Sequence, residues 1–190
     1  MWRAPARKRR GCTRADAGLA GSAERERRSG SAGRFDPRIA GTLPLGDSLT
    51  GSDIDILCHA PEPNDVADCL WEAHERLPGL VLRRWISAGR PLVGTFAIDD
   101  WPVEVFASSV EVERQAGWRH FVVERRLLEL AGEALRQRVL GLRRAGARTE
   151  PAYATPLGLQ GDSYAALYRL SQASDAELRE PLLSAGFHQV

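Results

Sequence analysis

Lysine is nearly missing from this sequence. Lys8 is the only one, and every other member of its 26 Lys and Arg residues is an arginine. A metal nuclease built on acids followed by a Glu-x-Lys pair therefore has no lysine to draw on beyond the first ten residues. Cysteine is scarce as well: Cys12, Cys58 and Cys69 are odd in number and form no C-x-x-C pair, which argues against both a disulfide framework and a zinc knuckle. No stretch approaches the ~20 consecutive apolar residues of a membrane span, and the N-terminus lacks the apolar run of a secretory signal. The expectation is a cytoplasmic protein with no membrane partner.

What is present suits a globular chain: 190 residues with 43% hydrophobic content are enough for one domain with a real core. The net charge of +1 conceals an asymmetry, because residues 1–34 hold ten Lys or Arg against three acids and residues 35–190 hold sixteen against twenty-two. The basic head is rich in Arg, Ala, Gly and Ser and poor in large apolar residues, so it reads as a disordered extension. A basic arm of this kind can touch nucleic acid, a partner that the acidic remainder does not indicate.

The folded part is expected from Phe35. FDPRIAG reads as a strand running into a Gly- and Pro-punctuated loop. SDIDILCH alternates at the period of a half-buried strand, with Ile54 and Ile56 on one face and Asp53 and Asp55 on the other. Residues 64–77 place Val66, Leu70, Ala73 and Leu77 at helical spacing, with Asn64 as the expected N-cap. Residues 80–87, 91–98 and 101–108 read as three strands of an antiparallel meander. From Trp118 to about Ala145 the pattern is helical, with Phe121, Leu128, Leu135 and Leu142 recurring every seven residues and Gly132 a candidate break. DSYAALYRLSQ and SDAELREPLLSAG follow as shorter helices, the second with Ser174 as cap and Glu177 at the capping-box position. The division expected is a head (1–34), a sheet-bearing core (35–117) and a helical C-terminal part packed on it (118–190).

Carboxylates at i and i+2 of a strand stand roughly 6.5 to 7 Å apart at the backbone, close enough for Asp53 and Asp55 to converge on one cation. Acids beside apolar neighbours are costly unless a cation or donors compensate them, which makes the pair a candidate metal site. Glu104, alternating with Val103 and Val105, is the natural third ligand. Three hard oxygen donors suit Mg²⁺ or Mn²⁺, ions that keep positions open for water and phosphate oxygens. Gly41 lets backbone approach a phosphate, while Thr42 and Ser52 either contact that phosphate or bond their own loop. His120 and Glu124, four apart on the long helix, read first as a helix-surface contact and second as a ligand or general-base pair. Arg83, Arg84, Arg125 and Arg126 read as solvated, and Cys58 and His59 as packing or edge residues.

Gly41-Thr42, ten intervening residues, Asp53-Ile54-Asp55-Ile56 and a later Glu104 resemble the polymerase-beta-like nucleotidyltransferase signature. GTLPLGDSLTGSDIDILC, VEVF, QAGWRHFVVERRLLELAG and RTEPAYATPLGLQGDSYAAL resemble the bacterial domain-of-unknown-function 4269 family over about residues 35–175. The resemblance implies an α/β (α+β) fold, in which helices flank a nucleotidyltransferase-type mixed sheet. It also implies metal-bound nucleoside triphosphate, with Asp53, Asp55 and Glu104 as the metal ligands, but supplies no substrate; the reading adopted is transfer of NMP to a hydroxyl of a small molecule, protein or RNA. The alternative it leaves open is an inactive nucleotide- or partner-binding module on the same scaffold. Two departures stand out: Thr42 occupies a position where Ser is commoner, and Leu45 precedes Gly46 where many members of the wider superfamily carry Arg.

Overall fold

The computed structural model describes residues 34–86 and 89–188. The expectation of a disordered head concerns residues 1–34, all but the last of which lie outside the described residues.

Five strands build one mixed sheet: β1 (Arg38–Ala40), β2 (Ile54–His59), β3 (Val81–Arg84), β4 (Leu92–Ile98) and β5 (Trp101–Ser108), in the spatial order β1-β2-β5-β4-β3. β3, β4 and β5 form the expected antiparallel meander. β2 and β5 lie side by side and parallel, so the chain must cross over between them, and it does so through α1 (Pro63–Glu72) and the meander.

Period-two alternation gives the sheet two different faces. Ile56, Cys58, Phe96, Val103 and Val105 turn to one face and pack with Val66, Ala67 and Leu70 of α1. Gly94 of β4 lies under that helix, and a Cβ there would stand 2.7 Å from Leu70 Cδ1, so the absence of a side chain lets Leu70 rest on the sheet. Leu57 and Phe106, register partners on β2 and β5, turn to the other face. There they meet α2 (Ala116–Arg144) through a cluster that includes Phe121, Leu128 and Leu135.

α2 breaks at Gly132, whose φ of 64° and ψ of −150° lie outside the helical region. Its first stretch covers the sheet, and its second carries Arg136 and Arg143 toward the loop that follows β1. Around α2 pack α3 (Thr149–Ala154), α4 (Ser163–Leu170) and α5 (Asp175–Ser184), bringing the fully buried Tyr153, Leu167 and Leu178 into the core. The Ser174 capping box is present: Ser174 Oγ accepts the Glu177 N–H, and the Glu177 carboxylate accepts the Ser174 N–H. The expected mixed sheet with a helical C-terminal part is the architecture observed.

Two local expectations are corrected. Asn64 is not the N-cap of α1. Glu62 takes that place and Pro63 opens the helix, as a residue with preset φ and no N–H to satisfy can do. The same helix ends at Glu72 instead of running to Leu77, and a separate 3-10 turn covers His74–Arg76. No helix among the described residues is long and apolar enough to cross a membrane.

Candidate functional site

β2 begins at Ile54, so Asp53 stands just before the strand and Asp55 is its second residue. Asp55 and Glu104 are register partners on the parallel pair. Their side chains therefore leave the sheet on the same face, from strands about 4.8 Å apart. Ala40 of β1 lies across from Asp55 on its other side, and its single methyl leaves space above the sheet. α2 packs over Leu57 and Phe106, two residues further along the same face, while Asp55 and Glu104 remain half-buried beyond its cover. The result is a cleft of about 420 Å³, to which Asp53, Asp55, Glu104, Gly41 and Thr42 all contribute.

The three acids have no counter-charge bound to them: none makes a hydrogen bond or salt bridge through its carboxylate among the described residues. Burial pushes Asp55 up from 3.8 to about 7, and the charges of Asp53, Glu104 and Glu150 push the same way. Glu104 is raised by burial and then by Asp53, with Arg83 opposing. Carboxylates that lose hydration and repel one another are stabilised by a cation, and their oxygens are the donors that Mg²⁺ or Mn²⁺ prefers. Among the described residues, however, no group of three or more His, Cys, Asp or Glu side chains is already arranged to hold a metal ion. An ion would have to draw the acids together against their repulsion.

Gly41 has a φ of +71°, and a Cβ built on it would lie 1.9 Å from Asp55 Oδ2. The close approach that this glycine permits in the structure is thus to the Asp55 carboxylate, where the sequence suggested a phosphate. Beyond it the loop is tied down from the helical side. Arg143 donates to the Asp47 carbonyl at 2.7 Å, and Arg136 donates to the Leu45 carbonyl. The Tyr153 hydroxyl donates to Asp47 Oδ2 at 2.6 Å. Asp47 is fully buried, and its pKa is raised by that burial against the opposing effects of Tyr153, Arg143 and Arg136. Leu45 is buried in the helix-facing core. Ser52 is not among the residues lining the cleft; its Oγ accepts the Leu49 N–H at 2.9 Å within its own loop.

Opposite the sheet, α2, α3 and α4 supply a second group of polar residues. His120 and Glu124 are not a helix-surface contact: they are 9% and 3% exposed and both line the cleft. Glu150 of α3 stands 3.5 Å from His120 Nδ1, and the Tyr164 carbonyl stands 3.0 Å from Nε2. The ring is thus held between two oxygens supplied by different elements, one from α3 and one from α4. Burial would raise Glu150, but hydrogen bonds from His120 and from its own backbone outweigh it and leave the carboxyl below its ordinary range. Glu124 has no such support. Its Oε1 is buried without a hydrogen-bond partner. Burial drives its pKa well above the ordinary value, and Glu150, Asp47 and Asp55 add to the shift against Arg143. Glu150, Arg143 and the exposed Trp85 at the cleft were not singled out as site residues from the sequence.

A family model described as Domain of unknown function (DUF4269) matches residues 31–170. No curated protein matches the sequence. Among solved structures, a cytoplasmic RNA terminal U-transferase aligns at 14% identity and a TM-score of 0.43, covering 69% of this chain and 37% of the other. The GLD-2/RNP-8 complex aligns at 14% identity and a TM-score of 0.42, covering 73% and 51%. The polymerase core of TRAMP, an RNA surveillance complex, aligns at 17% identity and a TM-score of 0.39, covering 70% and 41%. The chain thus spans about half or less of the length of these three structures.

Proposed function

This chain belongs to the domain-of-unknown-function 4269 family, and we propose that it is a metal-dependent nucleotidyltransferase that moves NMP from a nucleoside triphosphate to a hydroxyl acceptor. The observation that carries this reading is the pairing of Asp55 with Glu104 across two parallel strands, with Asp53 in the same cleft and, among the described residues, no basic side chain paired with any of the three. Asp53, Asp55 and Glu104 would hold Mg²⁺ or Mn²⁺, which when bound neutralises triphosphate charge and activates the attacking hydroxyl.

The chain's own residues have separable tasks in such a transfer. Gly41 and Thr42, at the end of β1, border the cleft where the triphosphate would lie, and they are held there by the clamp of Arg136, Arg143 and Tyr153 on their loop. Glu104, on the strand beside Asp55, would receive the proton of the acceptor hydroxyl. The acceptor oxygen forms a bond to the α-phosphorus while the bond to the bridging oxygen breaks. Pyrophosphate leaves with that electron pair, so atoms and charge balance without a further reactant.

A second reading keeps the scaffold but not the catalysis: a nucleotide- or partner-binding module. The observation on its side is that the acids are not arranged to hold a metal among the described residues. Incubating the full chain with each labelled nucleoside triphosphate and Mg²⁺ or Mn²⁺, with and without cell extract, separates the two. Labelled product that requires the protein and the metal supports the transferase. Nucleotide binding without product under every condition supports the module.

A further inference from the structure

We infer that the helix-side wall of the cleft, formed by Glu124 with Glu150 and His120, binds a protonated amine, and that the acceptor is accordingly a small hydroxyl compound carrying an ammonium group. The amine site stands on its own geometry, whereas the assignment to the acceptor rests on the nucleotidyltransferase reading.

Glu124 is the reason to look for a ligand here. It is 3% exposed, it lines the cleft, and it makes no hydrogen bond through its carboxylate among the described residues. A buried polar atom left without a partner is rare in native structures and calls for a missing donor. None of the neighbouring side chains donates to it among the described residues. His120 sets Nε2 against the Tyr164 carbonyl and Nδ1 against Glu150. Arg143 donates to the Asp47 carbonyl, and the Tyr153 hydroxyl donates to Asp47 Oδ2. The cleft that Glu124 lines is the side from which a further donor can reach it.

Charge decides what kind of donor it is. Glu150, Asp47 and Asp55 all act on Glu124 with negative sign, and Arg143 is the cation that opposes them. A neutral donor would leave that field uncompensated, and a phosphate-rich polynucleotide would add to it. A compact ammonium with three N–H groups serves both Glu124 and Glu150, the carboxylate that His120 already orients. Because Glu124 and Asp55 line one cleft of about 420 Å³, a single small molecule can place its amine on the helices and its hydroxyl near the sheet.

The test is calorimetric titration of the full chain with spermidine in EDTA at physiological salt, so that neither metal nor nucleotide takes part. The native protein should bind one equivalent. Glu124→Gln, a neutral replacement of the same shape, should weaken binding by about tenfold or more. Glu150→Gln should weaken it in the same direction and guards against a folding defect in the first variant. Asp55→Asn, which removes one charge of the field but no ligand of the amine, should weaken it less than Glu124→Gln does, and Glu72→Gln on the exposed end of α1 at the opposite face should leave it unchanged. Unchanged affinity in Glu124→Gln overturns the proposal, and so does an equal loss in Asp55→Asn, which would put the cation among the sheet carboxylates. Glu124-dependent binding of a short oligouridylate in place of spermidine also overturns it. Loss of the amine site with an intact metal and nucleotide response leaves the transferase reading standing, and the reverse result leaves the amine site standing.

Discussion

Gly41 and Asp55 are fitted to one another: the glycine holds a φ of +71°, and a Cβ on it would fall 1.9 Å from Asp55 Oδ2. Gly41→Ala must therefore move either the loop or the carboxylate. The positive φ alone costs about 1–2 kcal/mol for an L side chain, and the clash adds to that. The expected outcome is a lower denaturation midpoint together with a reduced response to Mg²⁺ and nucleotide. An alanine variant with native stability and native ligand response would show that the fit between the two residues carries no weight.

Tyr153 supplies the one hydrogen bond made to the Asp47 carboxylate among the described residues, and Asp47 Oδ1 already lacks a partner in a fully buried position. Removing the hydroxyl with Tyr153→Phe leaves neither carboxylate oxygen satisfied, which should cost about 1–3 kcal/mol. Urea denaturation reads the loss directly. A variant as stable as the native protein would mean that the Asp47 carboxyl finds another donor.

The pH dependence of stability follows from Asp55. Its carboxyl is raised from 3.8 to about 7, so across that window the folded protein holds a proton that the unfolded chain has released. Unfolding then gives up protons, and stability falls as pH climbs from near 3.8 to about 7, with no further loss from this group above that. Asp47, Glu104 and Glu124 are shifted in the same direction, so the diagnostic quantity is the difference between native protein and Asp55→Asn. The Asn variant should lose less stability across the window and be at least as stable at pH 8 without ligand. Parallel curves for the two proteins would contradict the assigned shift.

The sheet side of this cleft was legible because two-residue periodicity is a strong signal. Asp53 and Asp55 against Ile54 and Ile56, and Glu104 between two valines, reveal which face each side chain takes before any tertiary contact is known. That Asp55 and Glu104 would be register partners was not legible, since pairing two strands with α1 and the meander between them depends on how the crossover packs. On the helical side the signal was present in part. Glu124 follows Phe121 by three residues and precedes Leu128 by four, which puts it on the buried stripe of α2. A general rule that acids on helices are solvated hid it. Glu150 and Tyr153 had no comparable signal, because α3 is six residues long and too short for periodicity to show. The N-cap of α1 was misplaced for a local reason, the preference of Pro63 for the first helical turn.

The central claim is that Asp55 is a ligand for the metal that carries nucleotide into the cleft. The measurement that tests it most directly is a thermal-shift titration of the native protein and Asp55→Asn with Mg²⁺ and each nucleoside triphosphate in turn. Ligand that binds the folded state alone raises the midpoint. The native protein is therefore expected to gain stability with Mg²⁺ and at least one nucleotide, whereas Asp55→Asn, no less stable when empty, responds little. Equal shifts in the two proteins would contradict the role of Asp55, and no shift with any nucleotide in the native protein would contradict the transferase itself.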